Sequence, residues 1–257
     1  MLLIEYVTAK LSWQELLKIK EDALAKLNIT MKSGVAIDNI NISDKVITDS
    51  QGVKHTFDSL IMATGSRSFV PENAQLHLSG RFTMRRKDDA DRLKNYLDNT
   101  NLAPEDQHVV IVGGGLLGLE LAAALKHKKV KITIIQRASR LMERQLDRIS
   151  SKLLAEEVQL RDIQIYFDNE VSTVFETDNP NEIEIALKSG RIITANAIVY
   201  TIGTVPNIEL AKEAGILCGR GVKVNQYLQS SNPNVFAIGE IAEFNNQLYG
   251  ITSAAEE

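Results

Sequence analysis

The chain has 257 residues, 44% hydrophobic and 5% aromatic, with 29 Lys and Arg against 33 Asp and Glu for a formal net charge of −4. That length holds one large domain or two modest ones, with a sizeable core. The near-even charge balance argues against a general affinity for nucleic acid or anionic membrane, and no basic run alters this.

Ser12-Trp13-Gln14-Glu15 is a capping-box pattern, and Leu16, Leu17, Ala23, Leu24 and Leu27 recur at helical spacing. A helix is therefore predicted over 12–28. Between residues 29 and 58 the period changes. Val35, Ile37, Val46, Val53 and Phe57 fall in short runs split by Ser43-Asp44 and Asp49-Ser50-Gln51-Gly52, the punctuation of hairpin strands. Leu60-Ile61-Met62-Ala63 reads as a buried strand ending in Thr64-Gly65-Ser66. A helix is predicted over 88–97, and the polar stretch 99–107, with Pro104, reads as a linker.

A βαβ unit follows: a strand over 109–112, a glycine turn, a helix to about residue 126 and a strand over 131–135. A second helix spans roughly 146–161, and short strands are predicted near 163–167, 171–175 and 183–187. Residues 198–202 read as another buried strand, ending at Gly203-Thr204-Val205-Pro206-Asn207. The tail carries Val222-Lys223-Val224 and Val235-Phe236-Ala237-Ile238-Gly239-Glu240. This order predicts an α/β fold, a parallel sheet with small antiparallel layers added.

One cysteine, Cys218, excludes an intrachain disulfide, a Cys-x-x-Cys redox centre and a Cys-rich metal or iron–sulfur site. It reads as a small packing residue. His55, His77, His108 and His127 lack metal-ligand spacing, and His127 sits among lysines where a helix carboxyl end favours basic residues. The most apolar stretch, 109–125, opens with three glycines and is interrupted by Glu120, so no membrane span is predicted. A reducing cytoplasm is the expected compartment.

Gly113-Gly114-Gly115-Leu116-Leu117-Gly118 fits G-x-G-x-x-G between an apolar strand and an apolar helix. In a dinucleotide site Gly113 allows the tight turn, Gly115 lets the backbone approach a pyrophosphate, and Gly118 lets the helix pack on the strand. The helix amino end then offers unpaired N–H groups and a partial positive charge to the phosphates. An acid is expected about 20 residues on, to hold the ribose 2′-hydroxyl. Here Gln136-Arg137 stands instead, with Arg140 nearby. Gln136 can accept a ribose hydroxyl. Arg137 and Arg140 either meet a 2′-phosphate, so that NADPH is tolerated, or are solvated surface residues. Glu120, a carboxylate in an apolar helix, needs a partner: it serves near the nicotinamide or in a buried structural pair.

Four blocks now stand in order: 60–66, the Gly113–Glu120 turn and helix, 200–207, and 235–240. Together they resemble the FAD-dependent pyridine nucleotide-disulfide oxidoreductase superfamily. Within it the resemblance points to the flavoprotein region of assimilatory NAD(P)H-nitrite reductase large subunits. The details are Gly113 to Glu120, Leu141-Met142-Glu143-Arg144-Gln145-Leu146-Asp147, and Ala237-Ile238-Gly239-Glu240 followed by Asn245-Asn246. The resemblance implies that NAD(P)H lies across Gly113, Gly115 and Gly118, with Glu120 near the nicotinamide and Gln136-Arg137 at the adenosine ribose. It implies that Ala63, Thr64 and Gly65 line the FAD region, that Arg85 stands on the flavin side, and that Gly239 and Glu240 meet an FAD hydroxyl. Gly203 falls where the chain returns to the nucleotide crevice. Hydride would pass from NAD(P)H to FAD, and electrons onward to an iron–sulfur or sirohaem partner domain or protein. The absence of a Cys pair agrees with that branch. The alternatives are a rubredoxin or ferredoxin reductase, an NADH oxidase, or an inactive nucleotide-binding remnant.

The sequence holds one G-x-G-x-x-G, whereas the superfamily opens with its own copy for FAD. The implied domains are therefore a partial FAD-binding domain over 1–104 lacking its first βαβ, a Rossmann-like NAD(P)H-binding domain over 105–207, and a truncated returning FAD segment over 208–257. Two consequences are expected: weak or absent FAD binding by the chain alone, and pairing of an exposed strand edge with a second copy as a homodimer.

Overall fold

Residues 6–7, 11–16 and 27–248 are described by the computed structural model of the chain. In chain order its elements begin with α1 (Trp13–Leu16), β1 (Ile37–Asn41), β2 (Val46–Asp49), β3 (Lys54–Thr56), β4 (Leu60–Met62), β5 (Ser66–Ser68), β6 (Arg81–Thr83) and α2 (Lys87–Asp98). Next come β7 (His108–Val112), α3 (Leu116–His127), β8 (Lys131–Ile135), α4 (Arg148–Leu160), β9 (Ile163–Tyr166), β10 (Val171–Glu176), β11 (Ile183–Leu187), β12 (Ile192–Ala195) and β13 (Ala197–Tyr200). The last are β14 (Thr204–Pro206), α5 (Glu209–Glu213), β15 (Val222–Lys223), β16 (Val235–Ala237), β17 (Ala242–Phe244) and β18 (Gln247–Leu248). Of the helix predicted over 12–28, residues 17–26 lie outside the described residues. At the start of α1 the Ser12 amide donates to the Glu15 carboxylate at 2.8 Å and the Glu15 amide donates to the Ser12 hydroxyl at 3.4 Å, as the capping-box pattern predicts.

The chain divides into two units, Met1–Lys18 with Ser68–Gly203 and Ile19–Arg67 with Thr204–Glu257. The first is built on a five-stranded sheet in the order β6-β13-β7-β8-β9, parallel throughout. Parallel strands are covered on both faces and so read as continuous apolar runs. Val109, Ile111, Ile132, Ile134 and Val199 pack with Leu93 of α2 and Leu121 and Leu125 of α3. Val110, Val112, Ile135, Ile198 and Tyr200 point the other way, against Val174, Ile185 and Ile193 of the antiparallel β10-β11-β12 meander. Each of these fully buried aliphatic side chains contributes about 1.5–3 kcal/mol by leaving water.

Two sequence expectations are corrected here. The boundary placed after residue 104 falls inside the first unit, because β6 hydrogen-bonds to β13 in register, Arg81 opposite Ile198. A three-residue strand beginning with arginine carries too little periodicity to be read from sequence. The stretch 99–107 is likewise held within the unit. The Gln107 amide, 6% exposed, donates to the carbonyls of Leu97 and Leu102 and to the Thr100 hydroxyl at 3.0–3.2 Å.

In the second unit β1-β2-β3 form the expected antiparallel hairpins, β4 pairs with β16 in parallel, and β17 joins β15 to β18. Ile40, Met62, Val222, Val235, Ala237 and Ile241 make its core. The strand predicted as wholly buried is half so: Met62 is 3% exposed but Ile61 is 61% exposed, because pleat alternation turns it to the opposite face. Cys218 packs beside this core, its thiol donating to the Ile216 carbonyl at 3.3 Å, and burial raises its pKa.

Candidate functional site

A cavity of about 540 Å³ lies in the first unit at the carboxyl ends of β7, β8 and β13. Such strand ends are where open α/β sheets bind ligands. Its lining comes from Val112 to Gly115 after β7, Gln136 and Arg137 after β8, and Tyr200 to Gly203 at the end of β13. Met142 to Gln145, Asn169, Glu170, Val171, Lys188, Phe69, Pro71 and Asn73 complete it.

The glycine turn is fixed by close approach. Gly113 sits at φ +115°, and a Cβ there would lie 2.8 Å from the Thr201 carbonyl oxygen. A Cβ on Gly118 would stand 2.0 Å from the Gly113 carbonyl oxygen, so α3 presses on the turn at a distance only glycine permits. Gly114 is constrained too, its Cβ position 2.5 Å from Leu141 Cδ2, a packing role the motif does not announce. Gly115 differs: nothing lies within 4 Å of its Cβ position, and as N-cap of α3 it offers no side-chain cap. An uncapped helix amino end over a cavity is an anion site by geometry and dipole. Leu116, Leu117 and Gly118 form the first turn behind it and do not line the cavity.

Gln136, 9% exposed, braces this turn. Its Oε1 accepts the Gly114 N–H at 2.8 Å, and its Nε2 donates to the Arg140 carbonyl at 3.1 Å. Arg137 is exposed at the rim, whereas the Arg140 guanidinium donates to the Glu143 carbonyl at 2.8 Å and stays out of the lining. Gly203, φ +120°, closes the end of β13, and its carbonyl accepts the Phe69 N–H at 2.9 Å. The Lys188 ammonium donates to the Glu170 carboxylate and holds its pKa below the ordinary carboxylate value, with the Arg137 charge helping. Tyr200 is 1% exposed, and burial pushes its phenol up to about 12 against the pull of the Arg81 charge. The Tyr200 hydroxyl and Arg81 Nε lack a hydrogen-bond partner among the described residues. Arg81 Nη2 donates to the Val174 carbonyl at 2.8 Å and so ties β6 to the meander. Glu120 lies on α3, partly exposed and outside the cavity lining. The Arg85 N–H donates to Asp89 Oδ2 at 2.8 Å, where α2 begins.

The remaining predicted residues gather in the second unit. Because β4 and β16 are parallel neighbours, Ala63-Thr64-Gly65 and Gly239-Glu240 emerge side by side. Gly65 at φ +63° and Gly239 at φ +68° both have open space at the Cβ position. The Ser66 hydroxyl donates to the Glu240 carboxylate and joins the two turns. Asn207, which closes the third sequence block but has no assigned role there, organises the first turn. Its Nδ2 donates to the Thr64 carbonyl and its backbone N–H to the Gly65 carbonyl, both at 2.9 Å, while Thr64 Oγ1 donates to the Asn207 carbonyl at 2.7 Å. Among the described residues no group of His, Cys, Asp or Glu is arranged to hold a metal, and no helix is long and apolar enough to cross a membrane.

A glycine turn joining a parallel βαβ unit, with a cavity over an uncapped helix start, defines an α/β protein of the dinucleotide-binding class. The pyridine nucleotide-disulphide oxidoreductase family matches residues 7–257, and the chain belongs to it. It is 32% identical over 238 residues to the assimilatory nitrate reductase electron transfer subunit of Bacillus subtilis (strain 168), covering 92% of this chain and 30% of that protein. It is 31% identical over 233 residues to nitrite reductase [NAD(P)H] of the same organism, covering 90% and 28%. Among solved structures, the putidaredoxin reductase of a covalent complex with putidaredoxin superposes with a TM-score of 0.87 at 27% identity, covering 95% of this chain and 58% of that one. The chain thus spans less than a third of the length of these curated relatives. The oxidoreductase family expected from the four sequence blocks is the family found, and the nitrite reductase relative is named for NAD(P)H.

Proposed function

We propose that the chain is the NAD(P)H-binding part, with a portion of the flavin-binding region, of a cytoplasmic nitrite-reductase-type flavoprotein reductase. The observation that carries this reading is Gly115: an open position on the uncapped amino end of α3, facing a cavity of about 540 Å³. Bare amides and the helix dipole there suit a diphosphate. Gly113 and Gly118 keep the turn and helix close enough to aim those amides, and Gly114 with Gln136 holds the loop rigid. The first unit is thus the coenzyme unit, and Gly203 bounds its crevice.

In the second unit, Ala63 to Gly65 and Gly239-Glu240 fit the polar chain of a flavin nucleotide, since both turns leave open the space a Cβ would fill. Glu240, anchored by Ser66, offers an acceptor for a flavin hydroxyl. Arg85 and Glu120 are assigned to the flavin side and the nicotinamide end. When bound, the cofactor pair supplies hydride transfer from NAD(P)H to FAD, and the protein contributes position and electrostatics. Electrons then pass to an iron–sulfur or sirohaem partner domain or protein. Weak flavin retention by this chain alone and pairing of two copies are proposed with it.

The test is calorimetric titration of the chain with NADH and NADPH, followed by oxidation of the reduced coenzyme with added FAD and ferricyanide. Binding with FAD-dependent oxidation supports the reading. Binding without oxidation makes the chain a nucleotide-binding module, and no binding of either coenzyme overturns the assignment.

A further inference from the structure

The dinucleotide fingerprint calls for a carboxylate where the second strand of the βαβ unit ends, to hold the adenosine ribose diol. That place belongs to Gln136, whose amide is engaged at both ends by Gly114 and Arg140. The neighbouring strand supplies an acid instead. β9 runs parallel to β8 with Tyr166 opposite Ile135, and backbone hydrogen bonds still join the two segments beyond the sheet. The Asp168 N–H donates to the Ala138 carbonyl at 3.3 Å and the Asn169 N–H to the Gln136 carbonyl at 3.2 Å. The next residue is Glu170, and it lines the cavity together with Arg137.

We infer that Glu170 is the carboxylate that holds the adenosine ribose hydroxyls of the coenzyme, and that it makes this chain favour NADH over NADPH. The inference rests on the reading of the cavity as the coenzyme site. Glu170 is tethered twice by one residue: its backbone carbonyl accepts the Lys188 N–H at 2.9 Å, and its carboxylate accepts from the Lys188 ammonium. That leaves the carboxylate ionised, oriented and 38% exposed, with most of its lone pairs open to a vicinal diol. A 2′-phosphate would meet a different balance. Arg137 attracts it, the Glu170 carboxylate repels it, and the Lys188 charge is already committed to Glu170. The acid absent from the end of β8 is therefore restored through space by the β9–β10 turn.

The experiment is isothermal titration of the chain and its Glu170→Gln and Glu170→Asp variants with NADH, NADPH and reduced nicotinamide mononucleotide, which lacks the adenosine half. The parent is expected to bind NADH more tightly than NADPH. Glu170→Gln should lose roughly tenfold or more in NADH affinity, the scale of a hydrogen bond to a charged group. Its affinity for NADPH should hold or rise, the mononucleotide should be unaffected, and Glu170→Asp should recover part of the loss. An unchanged NADH-to-NADPH ratio in Glu170→Gln, or an equal loss for all three ligands, overturns the inference while leaving the cavity a coenzyme site. A parent chain that binds none of them overturns the site assignment itself.

Discussion

Gly115 and Gly118 stand three residues apart in one motif, yet the structure gives them opposite consequences on replacement by alanine. At Gly118 the new methyl would lie 2.0 Å from the Gly113 carbonyl oxygen and 2.7 Å from Thr201 Oγ1. The first of these is backbone, so α3 must move off β7. Overpacking of this kind costs about 3 kcal/mol, which lowers the melting temperature of the first unit by roughly 6–12 °C. At Gly115 the methyl meets no atom within 4 Å. The stability cost there is about 1 kcal/mol, the ordinary penalty of alanine at an N-cap, or roughly 2–4 °C. On the proposed reading the methyl occupies the space through which a phosphate would reach the helix amides. Losing one charge-assisted bond of about 1.5–3 kcal/mol weakens coenzyme binding roughly tenfold to a hundredfold. Thermal melts followed by circular dichroism, paired with NADH titration, separate the two effects. A Gly115→Ala protein that binds NADH like the parent and melts as early as Gly118→Ala refutes the reasoning.

Three further outcomes are expected. Tyr200→Phe removes a buried hydroxyl that has no partner among the described residues, so melting should be unchanged or raised by up to about 1 kcal/mol in stability; a clear loss would show that the hydroxyl is satisfied. His108 is held neutral, its pKa pushed below the ordinary 6.5 by burial although the Thr194 carbonyl opposes this. The unfolded chain therefore binds more protons below pH 6.5, and the stability contributed by neutral His108 is full above that value and lost as pH falls through the lower folded one. His108→Gln should flatten that acid slope in melts between about pH 7 and 5, and an unaltered slope would contradict the assignment. Arg137→Ala should weaken NADPH more than NADH, because Arg137 is an exposed rim cation near the Glu170 carboxylate and, unlike Lys188, is not bonded to it; equal losses in a paired titration would place it outside the coenzyme's reach.

The unit from β7 through α3 to β8 was legible because its determinants are local. Apolar runs, the glycine spacing and the helix period all lie within about thirty residues, and each close approach at Gly113 and Gly118 has a counterpart in the motif. The family was legible for the same reason, since its four blocks are short and contiguous. The middle glycine was not: Gly114 is constrained by Leu141, whose arrival beside the turn no local pattern reports.

Sequence by itself determined the α/β class, the glycine turn between strand and helix, and the lack of an intrachain disulfide or Cys-x-x-Cys pair within these 257 residues. Tertiary structure decided that Arg81 to Thr83 extends the parallel sheet, that Ile61 faces outward, that Gln136 braces the loop, and that Glu170 comes to the end of β8. The reason is strand register. Backbone hydrogen bonds between parallel strands bring together residues separated by a whole crossover, and that pairing is set by the packing of both sheet faces. Which acid reaches a cavity therefore depends on which strand lies beside it, not on its spacing from the glycines.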